Sequence, residues 1–158
     1  MTEADARTGA GASDVNGRSC TVPVGRLLAQ TERLLARRTE AALAPHGLTV
    51  DQWRVLDLLS DGEGHTMSEI VAAIVVPGPT LTKIVDRLVD AAAVYRLVDA
   101  RDRRRVLALL SESGQTLHAR AAPDVATAEE TALTALGSEV PVLLDLLGRL
   151  ADGATRPG

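Results

Sequence analysis

The stretch TMSEIVAAIVVPGPTLTKIVDRLVD, residues 66–90, decides the fold. It opens with a capping-box pattern, Thr66 answered by Glu69 three residues later, and this predicts a short helix that runs to Ile74. Pro77 and Pro79 interrupt that helix, because proline lacks the backbone donor that a helix interior needs. A second helix is predicted beyond them, with apolar residues at helical spacing: Leu81, Ile84, Val85 and Leu88.

The polar residues of this second helix lie on its other side, mostly in the first two turns. They are Thr80, Thr82, Lys83, Asp86 and Arg87. A short helix, a tight break and a second helix with an outward polar half are typical of a helix-turn-helix. In that motif the N-terminal part of the second helix enters the major groove of DNA.

A β-hairpin is predicted directly after the second helix. Residues 94–98 and 106–110 are rich in β-branched and aliphatic side chains, and a polar turn at residues 99–103 separates them. A hairpin in this position is called a wing. Four of the five residues from Arg101 to Arg105 are arginines, too many for a packed core, so we expect them to face solvent or phosphate.

Helices are predicted on both sides of this unit. One starts near Pro23 and ends around His46, and a capping box at Thr49 and Gln52 opens the next. Ser111 is expected to cap a long helix to about Leu136, bent near Pro123. Gly137 then breaks the chain and Ser138 is expected to cap the last helix.

The predicted fold class is mainly α, a winged helix-turn-helix domain with a small β-hairpin plus flanking helices. We assign residues 1–22 to a disordered tail, 46–111 to the DNA-binding domain, and 23–45 with 112–152 to a helical dimerisation region. The apolar faces of the first and last helices exceed what one small domain can cover, and this predicts a homodimer. Those faces carry Leu27, Leu34, Leu143, Leu146 and Leu150.

Charge is distributed unevenly along the chain, whose formal net charge is −4. Residues 79–107 hold seven basic and four acidic side chains, whereas the remainder holds ten basic and seventeen acidic ones. An acidic body with one basic segment is typical of polyanion binding, although a merely solvated face gives the same pattern.

Other classes of function find little support. The single cysteine, Cys20, and three scattered histidines provide no metal-ligand spacing, and no phosphate loop or nucleophile motif is present. We therefore predict no enzyme activity, no catalytic residue, no cofactor and no metal.

No apolar run approaches the roughly 18 residues that a membrane span needs. A cytoplasmic location, without membrane association, is expected.

The sequence resembles the MarR family of winged helix-turn-helix regulators. The matching segments are GLTVDQWRVL (47–56), MSEI (67–70), PTLTKIVDRL (79–88), DRR (102–104) and LSESG (110–114). The resemblance spans about Val24 to Leu150. It implies a homodimer whose first, fifth and sixth helices interlock, binding to a promoter palindrome, usually as a repressor, and release by a small aromatic or lipophilic anion.

The chain departs from the family pattern at three places. Val75 stands where the family usually has glycine or another small residue, and Ala92-Ala93 stands where it usually has glycine before the first wing strand. Pro77-Gly78-Pro79 is an unusual entry into the second helix. These departures concern the local backbone and operator preference rather than the fold.

The candidate DNA contacts are Thr80, Thr82, Lys83 and Arg87 on the second helix and Arg101, Arg103 and Arg104 on the wing. Asp102 is expected to hold the wing turn by pairing with a neighbouring arginine. Asp86 is expected to pair with a wing arginine.

The candidate effector-pocket residues are Arg33, His46 and Trp53, each with a plainer alternative as a surface, loop or core residue respectively. One branch of the family senses peroxide through an N-terminal cysteine, but Cys20 has no aromatic neighbour and a redox role is disfavoured. The alternative function is a winged-helix protein-interaction module that does not bind DNA.

Overall fold

The computed structural model describes residues 23–155, and so the tail predicted for residues 1–22, with Cys20, lies outside the described part. Six α-helices form the body of this part: α1 Val24–Leu43, α2 Val50–Leu58, α3 Met67–Ile74, α4 Gly78–Asp90, α5 Glu112–Leu133 and α6 Val140–Thr155. The strands are β1 His65–Thr66, β2 Val94–Val98 and β3 Val106–Leu110. Short 3₁₀ segments lie at Ala44–His46, Leu59–Asp61 and Thr134–Glu139.

Side-chain caps fix the starts of three helices as the sequence predicts. The Gln52 backbone N–H donates to the Thr49 hydroxyl (3.2 Å), and the Thr49 N–H donates to the Gln52 side chain (2.9 Å). Thr66 and Glu69 form the same reciprocal pair at the start of α3. The Ser111 hydroxyl accepts from the Gly114 N–H (3.0 Å) and opens α5. Each cap satisfies donors that a helix start leaves free.

The core forms where α2, α3 and α4 pack against the hairpin and α5. The four apolar residues predicted to face inward on α4 are all buried. Leu56 and Ile70 are fully buried on α2 and α3, and Trp53 is 8% exposed. Burial of this aliphatic set is the main stabilising contribution, because the chain has little aromatic surface to bury.

The hairpin is antiparallel and extends into a three-stranded sheet of order β1-β3-β2. Val94 lies opposite Leu110 and Val98 opposite Val106, within the predicted strand bounds. Strand β1, whose His65 pairs with Ala108, was not predicted from the sequence. Two residues are too few to show the alternation that identifies a strand.

Three contacts hold the base of the wing to α5. The hydroxyls of Ser111 and Ser113 donate to the Ala92 carbonyl, each at 2.6 Å. A side chain at Gly114 would collide with the backbone carbonyl of Ala93, and so the close approach requires glycine. The wing is therefore fixed in position relative to α5.

The start of the last helix corrects the sequence analysis. Ser138 does not cap it, since Ser138 lies inside the 3₁₀ segment and α6 begins at Val140. Gly137 has φ 49° and ψ −120°, a conformation outside the helical region, and marks the predicted break.

The stretch Glu112–Gly153, which joins α5 and α6 across the break at Gly137, is long and apolar enough to cross a membrane by length and composition alone. This is weak evidence for a membrane span, because helices of soluble proteins that bury an apolar face pass the same test.

Two of the departures from the family pattern coincide with unusual backbone. Val75 (φ 54°) and Ala92 (φ 55°) are the non-glycine residues of the described chain with positive φ. Val75 ends α3 in the left-handed conformation, and its side chain is 86% exposed. A β-branched residue is disfavoured in this conformation and gains little burial here in return.

We expect Val75→Gly to stabilise the protein by about 1 kcal/mol, because relief of left-handed strain outweighs the entropy that glycine adds to the unfolded chain. Val76→Gly is the matched control, since Val76 lacks positive φ and packs against the core. It should destabilise the protein. Urea unfolding measures both, and a lower midpoint for Val75→Gly would contradict the assignment of strain.

Candidate nucleic-acid interface

The two helices of the predicted motif lie at a steep angle, and the turn Val75–Pro77 joins them. The chain bends by 110° between α3 and α4, within the range of helix-turn-helix motifs. Pro77 is the N-cap of α4 and makes no side-chain cap bond.

The outward face of α4 presents the four predicted contact residues. Thr80, Thr82, Lys83 and Arg87 are all exposed. The Thr82 hydroxyl donates to the Gly78 carbonyl (3.1 Å), which leaves its oxygen able to accept a hydrogen bond. The buried opposite face fixes the rotation of α4 about its axis, and with it the direction of these side chains.

An ion pair joins α4 to the wing. Arg96 Nη2 on β2 lies 2.6 Å from Asp86 Oδ1, which confirms the prediction that Asp86 pairs with a wing arginine. Both side chains are partly exposed, and so the pair contributes little to stability and mainly neutralises the one carboxylate within the contact face of α4.

Arg105 is exposed like the other three arginines of the wing turn, but unlike them it pairs with acids of the protein itself. Its guanidinium lies 2.8 Å from Glu69 Oε1 and 4.0 Å from Asp99 Oδ2. Hydrogen bonds from Thr66, and to a lesser degree the charge of Arg105, hold the pKa of the Glu69 carboxyl below its usual value. Glu69 thus stays ionised and keeps Arg105 against the start of α3.

The wing turn is shaped by two aspartates that accept from the backbone. Asp99 Oδ1 accepts from the Arg101 N–H (2.8 Å), and Asp102 Oδ1 accepts from the Arg104 N–H (3.0 Å). Asp102 is therefore a turn residue as predicted, but its partner is an amide rather than a guanidinium. These bonds order the turn without engaging the arginine side chains.

Five cations of this face remain without an intramolecular acid. Within residues 23–155 no ion pair or side-chain hydrogen bond engages Lys83 and Arg87 on α4, or Arg101, Arg103 and Arg104 on the wing. All five are exposed. They are also the basic residues that the sequence analysis selected. Free cations on a protruding helix and its neighbouring hairpin suit a phosphate backbone, where each contact releases a bound counterion.

The candidate effector residues do not come together. A cleft of about 570 Å³ lies between α1, α2 and the C-terminal helices, and Trp53 lines it, whereas Arg33 and His46 do not. His46 Nε2 instead lies 2.7 Å from Asp124 Oδ2 on α5. Its Nδ1 is buried without a partner in the described chain. Trp53 stacks on His118, with ring centroids 4.8 Å apart.

Charged residues that the sequence analysis did not select line this cleft instead. Arg54 lies 3.0 Å from Glu32, and Asp57 lies 3.0 Å from the His118 ring. Glu129 of α5 also lines it. On the sequence these are ordinary charges of helix faces, and only the packing of α1 on α2 and α5 gathers them. In residues 23–155 no group of three or more acidic, histidine or cysteine side chains could hold a metal ion.

A helix-turn-helix, a hairpin wing beside it and free cations across both define a winged helix-turn-helix DNA-binding regulator. Comparison with known proteins identifies its family. Residues 46–105 match the model of the MarR family. The chain is also 30% identical over 125 residues to the transcriptional regulator FarR of Neisseria gonorrhoeae, covering 78% of this chain and 86% of FarR. The protein belongs to the MarR family.

Structures of two further relatives contain a bound ligand, salicylic acid in one and operator DNA in the other. The transcriptional repressor Rv2887 of Mycobacterium tuberculosis is 31% identical over 114 residues, covering 72% of this chain and 82% of the repressor. Its crystal structure with salicylic acid gives a TM-score of 0.70 at 28% identity and covers 82% of this chain and 96% of that one. A point mutant of Escherichia coli MarR in complex with operator DNA gives 0.72 at 27% identity and covers 82% and 94%.

Proposed function

We propose that the protein is a homodimeric, cytoplasmic repressor that binds a palindromic operator and is released from it by a small-molecule effector. The observation that carries the proposal is the partition of charge on the contact face. Acids neutralise Arg96 and Arg105, whereas the five cations that point away from the protein have no internal partner. The operator complex of the MarR relative and the repressor activity named for Rv2887 support it.

Operator binding would use both exposed elements. The first two turns of α4 enter the major groove, where Lys83 and Arg87 meet base edges or flanking phosphates and Thr80 and Thr82 add hydrogen bonds. Arg101, Arg103 and Arg104 reach phosphates or the adjacent minor groove. Two copies related by a two-fold axis would read half-sites about one helical turn apart, roughly 10 bp from centre to centre.

Dimerisation would be the task of residues 23–45 and 112–152. On α1 and α6 the structure leaves apolar side chains exposed, among them Leu27 (48%), Leu146 (52%) and Leu150 (56%). Exposure of this extent over two helices is typical of an unpaired interface. The DNA-binding unit, residues 46–111, would then be held at a fixed spacing by its partner.

An effector would bind in the cleft beside Trp53. The cleft lies between α1 and the end of α3, and so joins the proposed dimer region to the helix-turn-helix. A ligand that favours one separation of the two DNA-binding units lowers operator affinity by its differential binding to the two states. Trp53 and Arg54 line this cleft, whereas Arg33 and His46 do not.

The alternative is a protein-interaction module whose basic wing faces an acidic partner. Binding to a fragment of its own promoter, measured at several salt concentrations, separates the two functions. A DNA-binding regulator should prefer that fragment to unrelated DNA, and its affinity should fall linearly on a log–log plot against salt. Equal, weak binding to both fragments would support the interaction module.

Arg101→Ala should weaken operator and non-operator DNA to a similar extent and lower the salt slope by about 1 per site, because a phosphate contact carries no sequence information. Lys83→Ala is the contrasting variant. As a base contact it should cost about 1–3 kcal/mol on the operator and flatten the preference at one base pair. A loss of sequence preference in Arg101→Ala would show that the wing reads bases.

A further inference from the structure

The cleft beside Trp53 has the size and the walls of a small-molecule site. At about 570 Å³ it lies within the range of roughly 300–1,000 Å³ typical of such sites. Most of its lining is apolar, with Leu28, Leu35, Val50, Leu58, Ile74 and Leu147 on α1, α2, α3 and α6. An occupant must therefore present a largely apolar body.

The charges at the edge of this apolar lining are predominantly negative. Glu32, Asp57 and Glu129 contribute three carboxylates, and Arg54 contributes one guanidinium. That guanidinium is already engaged, at 3.0 Å from Glu32 and 3.6 Å from Asp51. Within residues 23–155 Glu129 forms no ion pair, and so its charge remains available to an occupant.

We infer that this cleft selects a lipophilic cation, a compact aromatic or aliphatic body that carries an ammonium or phosphonium centre. An ammonium there gains Coulomb energy from the unpaired Glu129 and from the net negative charge of the lining, whereas a carboxylate meets like charges and must displace Glu32 or Asp51 from Arg54. As a regulatory ligand this cation rests on the proposed function, but the binding itself does not.

The proposed cation differs from the anionic effector that the resemblance to the MarR family implies. Salicylic acid occupies the Rv2887 structure, and its carboxylate needs a free cation or donor. The one cation that lines the present cleft is held by two acids. Shape alone would admit an aromatic acid, and the charge of the lining disfavours it.

Two ions of the same shape and opposite charge test the inference on the whole protein without DNA. Tetraphenylphosphonium and tetraphenylborate differ in charge but hardly in form, and salicylate serves as a third probe. Trp53 is the single tryptophan of the chain and lines the cleft, and so its fluorescence reports occupancy directly. We expect saturable binding of the phosphonium ion at least tenfold tighter than that of either anion. Tighter binding of an anion, or no response to any of the three, would overturn the inference.

Variants of residues that line the cleft show which carboxylate causes the preference for a cation. Glu129→Gln should weaken phosphonium binding about three- to tenfold, as expected for loss of one nearby charge in a partly screened site. Glu130→Gln removes the same charge from the neighbouring residue, which does not line the cleft, and should leave binding unchanged. Glu32→Gln removes one of the two acids that hold Arg54 and should raise the affinity for salicylate. Equal effects of the Glu129 and Glu130 variants would contradict a local role for Glu129.

Promoter binding, measured on the same preparation, separates a failure of the ligand inference from a failure of the proposed function. A protein that binds the phosphonium ion but not its promoter retains the ligand inference and loses the proposed function. A protein that binds its promoter but none of the three probes retains the function and loses the inference.

Discussion

An Arg87→Ala, Arg103→Ala double variant is expected to lose about 2–4 kcal/mol of operator binding, roughly a thirty- to thousandfold rise in Kd. Arg87 is on the exposed face of α4 and Arg103 is on the wing turn, and neither has an internal acid within the described chain. Because one variant removes a contact from each element, the effect tests both at once. Fluorescence anisotropy with the promoter fragment at fixed salt measures it.

A matched control removes the same charge elsewhere. Arg26 and Arg37 lie on α1, and their replacement by alanine also lowers the net charge by two. That variant should bind the operator within about threefold of the unchanged protein, because both lost charges lie on α1, outside the proposed contact face of α4 and the wing. Near-normal binding by the Arg87, Arg103 variant would instead remove the DNA assignment of α4 and the wing and favour the interaction module.

The elements of the fold were predictable because each carries a local signal. The capping boxes at Thr49 and Thr66 and the apolar spacing of α4 act within a few residues, and the structure confirms them. The strand β1 was not predictable, since two residues carry no period and His65 pairs with a strand more than forty positions away. The predicted start of α6 was wrong because Ser138 is a good cap in isolation, while in the structure the chain breaks at Gly137 and α6 begins at Val140.

Which arginines pair with acids of the protein and which remain unpaired could be predicted only in part from the sequence. Asp86 on α4 was expected to pair with a wing arginine, and Arg96 is that partner. The pairing of Arg105 with Glu69 joins residues 36 positions apart, and the sequence shows no sign of it. The strand register decides it, since Arg105 directly precedes β3, which pairs with β1 beside the start of α3.

The candidate effector site was the least predictable part. Trp53 is conspicuous in the sequence as the single tryptophan, but a tryptophan that only fills the core would give the same sequence pattern. Glu32, Asp57 and Glu129 come from three different helices, and each looks like a solvated charge until those helices pack. Electrostatics of a cleft depend on tertiary neighbours, whereas helix caps depend on residues three or four positions away.

Under the proposed function, operator binding depends on a dimer, and disruption of that proposed dimer should have the second large effect. Leu146 and Leu150 are one helical turn apart on the exposed face of α6, at 52% and 56% exposure. We expect Leu146→Asp, Leu150→Asp to yield monomer or unfolded chain at low micromolar concentration, because two carboxylates cannot be buried unpaired in an apolar interface. Operator affinity should fall at least a hundredfold, since a monomer contacts one half-site only.

The neighbouring ion pair on α6 provides the control. Asp145 and Arg149 lie 3.6 Å apart and are about two-thirds or more exposed, and so exchanging them as Asp145→Arg, Arg149→Asp keeps both the net charge and the leucine face. Sedimentation should show a dimer for the exchanged variant and for the unchanged protein, and operator binding should persist in both. A folded monomer of the unchanged protein at low micromolar concentration would contradict the dimer. Each copy would then have to cover Leu27, Leu146 and Leu150 by some other contact, and a palindromic operator would no longer follow from the fold.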